Sequence, residues 1–172
     1  VSDGKKATPR VQLLGSGTIL REVIAAAELL KNDWGVEADI WGVPSFNELA
    51  RDGHDVERWN LLHPMEEPRQ SHVQQKLADR EGPVIAATDY IRMFPEQIRS
   101  QLKRTFFTLG TDGFGRSDTR EKLRHFFEVD RHWVTLSALK TLADEGSIAR
   151  DKVAAALVKY QLDPNKPNPL SV

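Results

Sequence analysis

Cysteine is absent from the 172 residues, and with it go disulfide frameworks, thiolate nucleophiles and cysteine zinc sites. A surplus of either charge is missing too. Lys and Arg number 24 against 25 Asp and Glu, so the net charge of −1 sets up no overall basic field for nucleic acid or anionic lipid. No apolar run approaches the roughly 20 residues that a membrane helix needs. The five histidines, His54, His63, His72, His125 and His132, form no HExxH, and no two stand four residues apart. A helical pair of metal ligands is therefore excluded. Ser16, Ser45 and Ser117 each lack the context of a nucleophile elbow. The start, VSDGKKATPR, is polar, carries no initiator Met and is no signal peptide. It reads as a linker over residues 1–9, and the chain is expected to be a piece of a longer protein.

What is present is ordinary soluble composition, 40% hydrophobic and 28% charged, enough for one domain with a real core. Short apolar runs alternate with helical patterns. VQLLG (11–15), VEADIWGV (36–43), PVIAAT (83–88) and TFFTLG (105–110) read as strands. Leu20, Val23, Ala27 and Leu30 predict a helix facing the sheet. FNELARDG and VERWNLLHP predict two short helices separated at Gly53. SHVQQKLAD predicts another. DYIRMFPEQIRSQL is helical by pattern, with Asp89 as cap and a kink or restart at Pro95. Two amphipathic helices, 132–146 and 147–162, follow, the second capped by Ser147. Residues 164–172 carry prolines and read as an extended tail. The sum is an α/β fold, a three-layer α/β/α sandwich on a mainly parallel sheet. The spatial order predicted is 36–43, 11–15, 84–88, 105–109, which leaves one edge open beside 36–43.

Two glycine loops follow strands, where a parallel sheet presents its working edge. Gly15-Ser16-Gly17 is a partial phosphate-loop fingerprint, with Asp39 near the place of a ribose-binding acid. Leu20 stands where the third small residue belongs, and no Walker lysine follows. A tight strand-helix turn is the commoner use of such a loop. The second loop, FTLGTDGFGRSDTREKLRHFFEVD (107–130), holds Gly110, Gly113 and Gly115 within six residues. Asp118 and Glu121 have the spacing of a capping box. Arg116, Arg120 and Arg124 are spaced as one helical face, either an anion clamp or a solvated face paired with Asp118, Glu121 and Glu128. Asp112 is placed to orient its loop through bonds to backbone. These residues define a domain without a self-contained active site.

The loop GTDGFGRSDTREKLRHFFEVD and the opening VQLLGSGTILREVIAAAELL resemble the C-terminal domain of the transketolase superfamily. With SFNELARDGHDVERWNLLHP and ATDYIRMFPEQIR, the likeness narrows to homodimeric bacterial pyruvate dehydrogenases and covers about residues 10–168. That resemblance implies a cytoplasmic three-domain enzyme. Thiamin diphosphate and magnesium would lie between its first two domains, and a dihydrolipoyl acyltransferase component would accept the acetyl group. The cofactor-binding GDG…N motif of the superfamily is absent here. The resemblance therefore implies the third domain (10–163), with no catalytic, cofactor or metal residue and no activity of its own. It also implies a fifth, antiparallel strand before Val11. The expected contact with the rest of the subunit is Gly15, Ser16, Gly17 and Thr18 together with Thr111, Asp112, Gly113, Phe114, Gly115, Arg116 and Ser117. Two alternatives stay open: a stand-alone nucleotide-binding or scaffold module, and the same domain of another transketolase-superfamily enzyme.

Overall fold

The apolar run at the start of the chain becomes an inner strand of a parallel sheet. A computed structural model describes residues 8–172. The linker expected over 1–9 therefore lies, except for Thr8 and Pro9, outside the described residues. Strands β1 (Arg10–Gly15), β2 (Glu37–Gly42), β3 (Val84–Ala87) and β4 (Phe106–Leu109) stand in the order β2-β1-β3-β4, all parallel, as predicted. The mixed pattern of β2 has a simple cause. Among the described residues it pairs only with β1, and as an edge strand it is half-buried along most of its length.

Alternation along the inner strands divides the core into two layers, because successive side chains leave a strand on opposite faces. Val11, Leu13, Ile85, Ala87 and Leu109 point toward α1 (Leu20–Trp34), α6 (Arg131–Asp144) and α7 (Arg150–Lys159). Leu14, Val84, Ala86 and Phe106 point toward α2 (Phe46–Leu62), α3 (His72–Leu77) and α4 (Met93–Glu96). The buried stripe of α1 and the turn before it is Ile19, Val23, Ala26 and Leu30; Leu20 and Ala27 flank it half-buried rather than leading it. Gln12 is fully buried in β1, yet its amide donates to Asp39 Oδ2 (2.8 Å) and the Glu81 carbonyl (2.9 Å) and accepts from Trp41 Nε1 (2.9 Å). A buried polar side chain is tolerated when its bonding capacity is met in this way.

Several local expectations are corrected. Gly53 does not separate two helices; α2 is continuous through it. The missing side chain makes room for Gln101, whose Cδ would lie 2.6 Å from a Cβ there. The stretch 89–102 is not one capped helix. Asp89 caps nothing, Pro95 sits in the first turn of the short α4, and a 3-10 turn Arg99–Gln101 follows. Proline fits a first turn because no donor is needed there. The cap of α5 (Arg120–Phe126) is Thr119, not Asp118; its hydroxyl accepts from Lys122 N, and no Asp118–Glu121 box forms. The cap of α7 is Ala149, not Ser147. Asp130 does cap α6, accepting from His132 N and Trp133 N at 2.9 and 3.0 Å. The tail also departs from an extended course. It carries a 3-10 turn, Pro169–Ser171, and Lys166 donates to the Phe126 carbonyl and to Glu128 at 2.8 and 2.9 Å.

Glu22, with 7% of its side chain exposed, ties α1 to the far end of the chain. It accepts from Arg124 (3.0 Å) and from Arg131 N and Nε (3.1 and 3.0 Å). Burial raises its pKa, but the bonds from Arg131 and the two guanidinium charges together lower it more, and the carboxyl stays below its ordinary 4.5. At the other end of α1, Tyr160 accepts from Trp34 Nε1 (2.8 Å) and donates to Asp33 (2.9 Å). Burial pushes its hydroxyl up to about 12.

Glu22→Gln is expected to cost about 2 kcal/mol, below the range for a wholly buried pair because Arg131 keeps 46% of its side chain in water. The folded pKa of Glu22 is depressed, so its contribution is complete above the ordinary value and is lost as pH falls through the folded one. Urea melts taken from neutral pH down to about pH 3 should therefore show wild type losing more stability to acid than the variant. Parallel curves would remove Glu22 from this role.

Candidate interface at the carboxyl edge of the sheet

The loops after β1, β3 and β4 are bonded to one another in series. Ser16 N donates to the Ala87 carbonyl (3.1 Å) and Thr88 N to the Leu109 carbonyl (3.1 Å). Thr111 then reaches back, its N to the Tyr90 carbonyl (2.9 Å) and its hydroxyl to the Asp89 carbonyl (2.8 Å). Asp112 Oδ2 accepts from both Arg92 N (3.1 Å) and Arg92 Nε (3.0 Å). Its bonds thus join two loops rather than orienting its own. Gly113 has φ +116, and a Cβ there would lie 2.5 Å from the Pro169 carbonyl oxygen, so the tail packs directly on this loop. That conformation suits glycine because side chains rarely adopt it.

The two predicted groups of residues meet at one cleft of 370 Å³. Its walls include Thr18, Thr111, Gly113, Gly115 and Arg116, with Asp89 between the loops. Gly15 and Ser16 are buried and act as fasteners, Thr111 and Asp112 are half-buried, and Gly17, Thr18 and Gly113 to Ser117 are exposed. Phe114 is 78% exposed. Tyr90 and Met93, 62% and 69% exposed, stand after β3 beside these loops, a contribution that the helical reading of DYIRM hides. The signal is in the apolar side chains that follow a strand directly.

The arginines do not act as one face. Arg124 turns inward to Glu22, and Arg116 lies over the Phe126 ring, 4.3 Å from its centroid. Of the expected partners, Glu128 bonds Lys166 and Asp118 approaches Lys122 at 3.9 Å. The phosphate-loop reading meets two obstacles. Asp89 Oδ1 lies 2.8 Å from the place of a Cβ on Gly17, and Asp89 Oδ2 accepts from Thr18 Oγ1 at 3.3 Å. A carboxylate so placed opposes an anion at this turn. Asp39 is bonded to Arg10 (2.7 Å) and Gln12 (2.8 Å), three register positions short of Gly15, which is about 10 Å along a strand.

No helix among the described residues is long and apolar enough to cross a membrane. Residues 1–130 match the family model described as Transketolase-like TK C-terminal domain. The chain is 75% identical over 164 residues to the pyruvate dehydrogenase E1 component of Cupriavidus necator, covering 95% of this chain and 18% of that protein. It is 62% identical over 169 residues to the pyruvate dehydrogenase E1 component of Pseudomonas aeruginosa (98% and 19%), and 52% identical over 161 residues to that of Escherichia coli K12 (93% and 18%). It thus spans about a fifth of the length of these curated relatives. A solved structure titled "Split gene transketolase, inactive beta4 tetramer" superposes with a TM-score of 0.54 at 14% identity, over 80% of this chain and 41% of that one, a likeness of fold alone. With the family model matched over most of its length, the chain belongs to the transketolase-like C-terminal domains.

Proposed function

We propose that this chain is the third domain of a pyruvate dehydrogenase (acetyl-transferring) component. The whole enzyme would be a cytoplasmic homodimer that decarboxylates pyruvate and acetylates the lipoyl group of its acyltransferase component. The observation that carries this reading is the 75% identity, over nearly the whole chain, to a protein named pyruvate dehydrogenase E1 component. Thiamin diphosphate with magnesium would supply the carbanion chemistry in the whole enzyme. The residues of this chain do not fit that group. The carboxylate of Asp89 guards the glycine turn that leads into α1, and no described group of three or more His, Asp or Glu could hold the ion.

The role left for the domain is assembly. Three loops braided by backbone bonds form a stiff edge that presents Tyr90, Met93 and Phe114 outward. Exposed aromatic and methionine side chains of this kind are enriched at protein interfaces. The edge is assigned as the contact with the rest of the subunit and its dimer mate. The nucleotide-module reading is disfavoured by Asp89. Another transketolase-superfamily enzyme is disfavoured by the shared name of the relatives.

Two measurements test this. Calorimetric titration of the 172-residue chain with ATP, NAD or thiamin diphosphate should show nothing tighter than about 1 mM, and the chain should not decarboxylate pyruvate. Micromolar binding would restore the nucleotide module. A Cβ on Gly115 would meet no atom within 4 Å, so Gly115→Leu should change the stability of the isolated domain by less than about 0.5 kcal/mol. In the full-length enzyme the same change should weaken dimer assembly in sedimentation and lower activity. Gly113→Leu should damage both forms, because its φ and the Pro169 carbonyl forbid the side chain. Full assembly and activity with Gly115→Leu would take the loop out of the interface.

A further inference from the structure

The cleft between the Gly15–Ile19 and Thr111–Arg124 segments has an uneven chemistry that specifies what it takes. Its floor is apolar, formed by Ile19, Leu123, Phe127 and Val129. Its rim holds Arg116 and Arg120. Among the described residues neither guanidinium makes an ion pair or a hydrogen bond, while Arg124 and Arg131 are committed to Glu22 and Arg92 to Asp112. Arg116 is steadied by the Phe126 ring, so it is held in place without being neutralised. Beside the rim, Phe114 is largely in water. Asp89, an exposed member of the lining, can accept backbone N–H groups.

We propose that this cleft seats a carboxylate-bearing peptide segment from another part of the same enzyme. An apolar side chain of that segment enters the floor, and its Asp or Glu side chains bridge Arg116 and Arg120. Charge complementarity selects this occupant: two free guanidinium forks match carboxylates in geometry and charge. A free phosphate or nucleotide fits less well, because much of the lining is apolar and the Asp89 carboxylate stands beside the glycine turn. The proposal rests on the reading that this edge faces the rest of the enzyme, and it adds the chemistry of what is met there.

The test uses the full-length enzyme with benzoylphenylalanine in place of Phe114, irradiated and mapped by mass spectrometry. A crosslink is expected to a peptide outside these 172 residues that carries Asp or Glu. The double variant Arg116→Gln/Arg120→Gln should lower its yield about ten-fold, the loss expected when charge-assisted bonds are removed. A crosslinked peptide without carboxylates, or an unchanged yield in the double variant, would overturn the proposal and leave the interface reading intact. No crosslink beyond the 172 residues would defeat both. Suppression of the crosslink by micromolar ATP or pyrophosphate would also overturn the proposal, marking the cleft as a phosphate site.

Discussion

Glu22 is a carboxylate drawn almost wholly out of water and held between two guanidiniums that arrive from more than 100 residues away. Such a charge is costly to bury unless its partners are in place. The first turn of α1 and the α5–α6 junction therefore have to form together. This one cluster sets where the segment after β4 must end, and so fixes the span across which the Thr111–Ser117 loop is stretched. The Asp130 cap sits one residue before Arg131 and starts α6 at the same point. Lys166 then fastens the tail to the carbonyl of Phe126 and to Glu128. Cap, ion cluster and tail converge on one junction beneath the exposed edge.

That convergence explains how a loop so rich in glycine is held in place. Its backbone is not left to wander: Thr111 and Asp112 bond the neighbouring loop, and Gly113 lies against Pro169. Rigid backbone beneath exposed apolar side chains reduces the ordering cost of association. Asp89, exposed at the cleft, accepts from Thr18 within the domain.

Much of this is legible in the chain. The four apolar runs stand as strands in the expected order, because a buried parallel strand needs little beyond an unbroken apolar stretch between turns. The long helices after Gly15 and Asp130 are equally plain, from periodicity in one case and a capping side chain in the other. The resemblance of GTDGFGRSDTREKLRHFFEVD to transketolase C-terminal domains points to the right family. Errors fall where a residue has two uses. Gly53 reads as a stop, but it clears space for Gln101 inside a helix. Asp118 and Ser147 have the right chemistry for caps, yet the helices begin after Thr119 and Ala149. Asp89 has the look of a cap and forms the wall of a cleft.

The sequence by itself determined the strand and helix alphabet, the family, and the absence of thiol or histidine-pair chemistry, because these depend on side-chain type and on periods of two and 3.6 residues. Only the tertiary structure decided which charges are paired and which remain free. Arg116, Arg120 and Arg124 are alike in the chain. The approach of α1 brings Glu22 to Arg124 alone, and the other two are left facing a cleft that exists only once β1 and β4 share a sheet. Pairing of charges is a property of distance in space, and spacing along a helix cannot supply it.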